Sequence, residues 1–195
     1  MRIDPPWDQR LARASLRPLI ATSITPNQIT TLSFAIGLIA ALLYVRGGWS
    51  AHLGAAGFVL SLWLDHVDGE LARRTGRASV FGHYYDLAAD CCVLVAVFVA
   101  IGIAEGLPGL GAAAGLGTTA IFALRMELER RAGKAAVRQP NLLGFELEDL
   151  MYLLGPVTWL GLLEPFLLLA GIGAPLFALF VLWDCRRLLP GRPAA

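Results

Sequence analysis

Six apolar runs of roughly membrane-spanning length, at residues 27–45, 51–72, 80–104, 110–126, 147–163 and 165–183, occupy most of this 195-residue chain. A hydrocarbon core about 30 Å thick takes about 20 helical residues to cross at 1.5 Å of rise each, so every run is a candidate membrane helix. Hydrophobic residues make up 56% of the sequence and charged residues 16%, with a mean hydropathy of +0.62. Soluble domains carry about 25% charged residues, so this composition excludes a water-soluble globule. The fold class that follows is an all-α membrane protein with six transmembrane helices.

The basic residues test that layout independently, because cytoplasmic loops collect Lys and Arg. With six spans and both termini cytoplasmic, Arg46 is the one basic residue on the outer side and the other fifteen of the sixteen fall inside. The net charge of only +1 offers no polycationic surface for nucleic acid. Cys91, Cys92 and Cys185 are an odd set with neither a disulfide framework nor metal-ligand spacing, and read as small buried hydrophobes. Asp4, Pro5 and Pro6 interrupt the start of the chain, so residues 1–25 do not read as a signal peptide. There, Trp7, Leu11, Ala14, Leu16 and Leu19 interleave with Arg10, Arg13 and Arg17, which predicts an amphipathic helix lying on the membrane interface. Residues 26–188 form the six-helix domain and 189–195 a short tail.

The second and third runs carry the chemistry. Acids inside a membrane segment are costly and therefore functional candidates. On a helix turning about 100° per residue, Asp65, Asp68, Gly69, Ala72 and Arg73 share an arc of about 140°. Ser79, Gly82, Asp86 and Asp90 share an arc of about 80° on the next helix. The short connection between the two helices lets these arcs face each other. Four converging carboxylates repel, and cations are the usual remedy; oxygen ligands without thiolates favour Mg²⁺ or Mn²⁺. Gly69, Ala72 and Gly82 leave room for a ligand beside the metals, and Arg73 offers a fork to a phosphate. Glu70, Arg74 and Arg77 read as a solvated rim at the helix ends, and His66 and His83 lie off the centre of their acidic arcs.

At this point the stretch resembles a known family. Asp65, Asp68, Gly69, Ala72, Arg73, Gly82, Asp86 and Asp90 match all eight fixed positions of the CDP-alcohol phosphotransferase pattern, Asp-x2-Asp-Gly-x2-Ala-Arg-x8-Gly-x3-Asp-x3-Asp. The segment from Ile24 to Thr30, Ile-Thr-Pro-Asn-Gln-Ile-Thr, also resembles that family's first helix start. The resemblance implies an integral membrane transferase in which an acceptor hydroxyl attacks the β-phosphorus of a CDP-alcohol, forming a phosphodiester and releasing CMP. It implies two divalent cations, Mg²⁺ or Mn²⁺, held by Asp65, Asp68, Asp86 and Asp90, with Asp90 also the general base. Asn27, Gly69, Ala72, Arg73, Ser79 and Gly82 are its expected CDP contacts. A homodimer, an active site facing the cytoplasm and lipid substrates such as CDP-diacylglycerol are further implications.

The acceptor is not written in the motif. Arg125, Lys134 and Arg138 belong to a basic stretch that suits a phosphorylated acceptor, while Glu146, Glu148 and Asp149 suit a polyol, a cationic headgroup or nearby arginines. Two rival functions account for fewer of these residues. A cation transporter calls for acids at several depths on several helices. An intramembrane prenyltransferase also uses aspartates with Mg²⁺, but it lacks the Gly-x2-Ala-Arg extension.

Overall fold

A computed structural model describes residues 16, 20, 22–132 and 151–188 of the chain. Within them run α1 (Pro26–Arg46), α2 (Gly48–Thr75), α3 (Val80–Ala104), α4 (Pro108–Ala132), the short α5 (Leu154–Trp159) and α6 (Leu163–Leu188). Among the described residues there is no strand. The first helix begins where the sequence places a cap. Thr25 Oγ1 accepts from the Gln28 backbone N–H, Gln28 Oε1 accepts from the Thr25 N–H, and Pro26 fills the first turn. The α2–α3 connection is equally local in origin. Gly76 takes a left-handed conformation (φ 65°, ψ 19°), and its N–H and that of Arg77 both close on the Ala72 carbonyl. Ser79 then caps α3, its Oγ accepting from the Gly82 N–H at 2.9 Å. Four residues therefore turn the chain and send α3 back so that it packs, like α2, against α1.

The helices pack in a chain of neighbours. α1 lies against both α2 and α3, α3 against α4, α4 against α6, and α5 against α2. The main core joins Tyr44, Phe58, Val97, Phe98, Ile101, Leu154 and Leu167 with alanines of α1, α2 and α4. It occupies the end of the bundle where α1 finishes and α2 begins. There Tyr44 Oη pairs with Thr158 Oγ1 at 2.8 Å, which satisfies two buried hydroxyls and ties α1 to α5. Small residues set the closest crossings. A Cβ at Gly102 of α3 would sit 2.9 Å from the Gly111 Cα of α4, so only glycine permits that approach.

Outside this core the bundle is greasy. Leu42, Leu116 and Leu169 are 67%, 61% and 73% exposed, an arrangement stable in lipid and not in water. Four helical segments are long and apolar enough to cross a membrane: Pro26–Arg46, Val80–Ala104, Pro108–Leu128 and Leu163–Trp183. The sequence predicts six. The second expected span, α2, has 28 residues, which is ample length, but its C-terminal part holds Asp65, Asp68, Glu70, Arg73 and Arg74. The fifth, 147–163, is described only from residue 151, as a 3₁₀ turn followed by α5 and a turn through Gly161. Apart from Leu16, Ile20 and residues 22–25, the expected interfacial helix lies outside the described residues, as does the 189–195 tail. Leu16 is fully buried against Ile29, Val67 and Leu71.

Candidate active site

The end of the bundle opposite the main core gathers the acids. It is built from the start of α1, the end of α2 and the start of α3. Asp65 and Asp68 sit three residues apart on α2, and the Gly76 turn brings Asp86 of α3 to them. One carboxylate oxygen from each of Asp65, Asp68 and Asp86 lies within 4.8 Å of the others. Thr30 of α1 donates its hydroxyl hydrogen bond to Asp68 Oδ2 at 2.7 Å, so three helices share the centre. Asp86 Oδ1 is buried with no hydrogen-bond partner. A buried carboxylate oxygen is costly without a donor or a cation. Three clustered hard-oxygen ligands, one of them unsatisfied, fit a divalent cation of the Mg²⁺ class. Asp90 adjoins that trio, its carboxyl in side-chain contact with Asp65. One helical turn further along α3, it lines a neighbouring cavity together with Asp65. The four carboxylates thus neighbour one another, with Asp65, Asp68 and Asp86 the tightest group.

The expected nucleotide contacts fall into two clusters beside the trio. Asn27, Ser79 and Gly82 meet where α1 and α3 begin: a Cβ at Gly82 would lie 3.0 Å from both Asn27 Oδ1 and Ser79 Oγ. Gly69, Ala72 and Arg73 follow the acids on α2. The Arg73 guanidinium folds back along the helix, with Nη1 3.4 Å from where a Cβ would stand on Gly69. Ala72 contributes the carbonyl that closes the turn.

Glu70 requires a correction. Expected on a solvated rim, it is 5% exposed and lies between two arginines. Arg73 donates from Nε and Nη2 to Oε2 at 3.2 and 3.1 Å, and Arg74 Nε donates to Oε1 at 3.0 Å. A carboxylate stays buried only when paired, and the positions three and four residues on supply both partners.

A cavity of about 260 Å³ opens behind the acids. Thr30, Ser33 and Phe34 of α1, Asp65 and His66 of α2, and Asp90 and Leu94 of α3 are among its walls, with Phe122, Arg125 and Met126 of α4 opposite. Arg125, expected to meet the acceptor, is on this wall. Its guanidinium stands 6.0 Å from the Phe177 ring centroid of α6, and its Nη1 is buried without a hydrogen-bond partner. His66 Nδ1 donates to the Leu62 carbonyl at 2.9 Å and lies 3.3 Å from Tyr152 Oη. His83 is exposed beside Tyr84. Lys134, Arg138, Glu146, Glu148 and Asp149 lie outside the described residues.

Two participants carry no clear mark in the sequence. Thr30 belongs to the helix-start segment but has no task there; its signal is a polar pair, Thr30 and Ser33, both buried on one face of an apolar helix. Glu70 has a weaker signal, an acid followed at three and four residues by arginines.

Comparison with known proteins bears on the whole arrangement. The family model described as CDP-alcohol phosphatidyltransferase matches residues 23–183. The chain is 34% identical over 92 residues to cholinephosphotransferase 1 of Danio rerio, covering 43% of this chain and 24% of that protein. It is 36% identical over 91 residues to archaetidylinositol phosphate synthase of Pyrococcus horikoshii, 46% of each. It is 40% identical over 72 residues to the bifunctional IPC transferase and DIPP synthase of Thermococcus kodakarensis, covering 37% of this chain and 16% of that protein. The matched region thus spans less than half the length of each of these relatives. With the family match running from before α1 into α6, across every element that builds the acidic centre, the chain belongs to the CDP-alcohol phosphatidyltransferase family.

Proposed function

We propose that this chain is a metal-dependent membrane transferase that moves a substituted phosphate from a CDP-alcohol to an acceptor hydroxyl and releases CMP. The observation that carries this reading is the trio Asp65, Asp68 and Asp86, with the unsatisfied Asp86 Oδ1, beside the Arg73 guanidinium lying over Gly69. Cations that neutralise the diphosphate and stabilise the departing CMP are the chemistry a divalent pair supplies when bound. Asp65, Asp68 and Asp86 are the residues that hold it, with Asp90 as a fourth ligand; Thr30 keeps Asp68 aimed.

Arg73 fixes the diphosphate through Nη1, and the missing side chain of Gly69 gives its guanidinium room to lie against the helix. Asn27, Ser79 and Gly82 form a second wall for the CDP moiety. The acceptor enters by the cavity behind the acids, and Arg125 Nη1 binds an anionic group on it. Asp90, on the wall of that cavity, takes the proton from the attacking hydroxyl as oxygen bonds to the β-phosphorus. The bond from that phosphorus to the bridging oxygen breaks, and CMP departs with the electron pair. Lipid metabolism is the natural setting, as the names of the cholinephosphotransferase and archaetidylinositol phosphate synthase relatives suggest. A six-span topology with both termini and the acidic end cytoplasmic, and a homodimer, complete the reading.

The test is Mg²⁺-dependent stabilisation of the detergent-purified protein by CDP, with Asp65→Asn beside it. Stabilisation that needs both CDP and metal and disappears in the variant supports the reading. A response to Mg²⁺ alone, with none to CDP, overturns it.

A further inference from the structure

Arg73 is the side chain on which the donor's phosphates rest in the proposed function, and its own placement has a cause. It lies in the last turn of α2, and its side chain is 60% exposed. A long exposed side chain of this kind loses rotamer freedom whenever it binds, unless something holds it beforehand. Glu70 is in position to do so. Its carboxylate is 6% exposed, and one of its oxygens, Oε2, receives both Nε (3.2 Å) and Nη2 (3.1 Å) of Arg73. The other oxygen, Oε1, receives Arg74 Nε at 3.0 Å. The nitrogen that Glu70 does not engage, Nη1, is the guanidinium atom nearest Gly69, 3.4 Å from the Cβ position that glycine leaves vacant, with Nη2 at 3.8 Å.

We propose that Glu70 is a positioning residue for donor binding: it holds Arg73 with Nη1 presented over Gly69, and Arg74 keeps Glu70 in place from the other side. The inference rests on the reading of Arg73 as a donor contact and adds a residue to it. Two features of the geometry support positioning over a merely stabilising ion pair. The bonds take the Nε edge of the guanidinium and leave the Nη1 end for a ligand, so clamping and binding do not compete for the same nitrogen. The carboxylate is also buried while both arginines are exposed, so the fixed member is the acid and the arginines are fitted to it. An ammonium has no separate edges to divide between a clamp and a phosphate, so lysine at position 73 cannot reproduce the arrangement.

A double-mutant cycle on the full-length protein, with CDP as the probe at saturating Mg²⁺, tests this. Glu70→Gln is expected to weaken CDP binding about tenfold when Arg73 is present, and less than twofold in an Arg73→Ala background. With a turnover assay reading CMP release, Glu70→Gln raises the KM for the CDP-alcohol and leaves the acceptor KM and kcat within about twofold, while Glu70→Asp recovers part of the loss. Equal losses of CDP affinity in both backgrounds overturn the inference, as does a lowered melting temperature accompanied by unchanged CDP affinity. Failure of the unmodified protein to bind CDP at all overturns the proposed function, a result the cycle keeps distinct from failure of the Glu70 assignment alone.

Discussion

A 2.7 Å hydrogen bond from Thr30 to Asp68 Oδ2 shows how much of this site depends on groups that touch no substrate. The hydroxyl restricts which Asp68 lone pairs face the trio, and partners of this kind around metal ligands are worth about 10–100-fold in metal affinity or activity. Thr30→Val, which keeps the shape and removes the donor, is therefore expected to raise the Mg²⁺ concentration for half-maximal CMP release about tenfold, with Thr30→Ser near the parent. Asp90 presents the opposite case, a carboxyl that touches Asp65 and also lines the cavity the acceptor would enter. Asp90→Asn should abolish CMP release while CDP still stabilises the protein; near-normal turnover removes Asp90 from the role of base. Arg125 tests the acceptor side. Because its Nη1 is buried without a partner, Arg125→Met should raise the KM for an anionic acceptor such as glycerol 3-phosphate about tenfold and leave the donor KM unchanged. The aspartates were legible in the sequence because acids at i, i+3 and i+4 spacings inside a membrane segment are too costly to keep without a function. Thr30 and Glu70 were not, since a threonine in an apolar helix and an acid near arginines are ordinary until burial and distance are known.

Helix beginnings and ends decide whether those residues meet. The capping box at Thr25 and Gln28, the left-handed Gly76 and the Ser79 cap are all local, and each is readable as a turn or cap signal from sequence. Together they set where α1 and α3 begin, and so bring Asn27, Ser79 and Gly82 into one corner. That corner has no room to spare. A methyl at position 82 would stand 3.0 Å from Asn27 Oδ1 and Ser79 Oγ, so Gly82→Ala should displace those two side chains and weaken CDP binding about tenfold. Unchanged affinity for CDP, measured by titration at saturating Mg²⁺, removes this corner from the donor site. Helix α2 illustrates the limit of hydropathy. Its 28 residues exceed the length a bilayer needs, yet it is not among the four helices apolar enough to cross one.

For the whole molecule, the separation of a greasy core at one end from an acidic centre at the other gives the bundle a direction. Four apolar helices and membership of the family make an integral membrane protein, and the distribution of basic residues predicts which end faces the cytoplasm. Single cysteines placed at Gly48 and at Arg77 in a cysteine-free background are expected to react with a membrane-impermeant maleimide from opposite sides, Arg77→Cys only after the membrane is opened. Labelling of both from the outside overturns the assigned orientation. By itself the sequence determined the class of solvent, the helical character and the eight motif positions, because hydrophobic length and i, i+3, i+4 spacing are properties of a single segment. Only tertiary packing decided that the aspartates of α2 and α3 converge, that Glu70 is buried between two arginines, and that Arg125 reaches the cavity behind the acids. Those outcomes depend on how far helices distant in sequence slide and rotate against one another, and close contacts such as Gly102 with Gly111 and Gly82 with Asn27 set that fit.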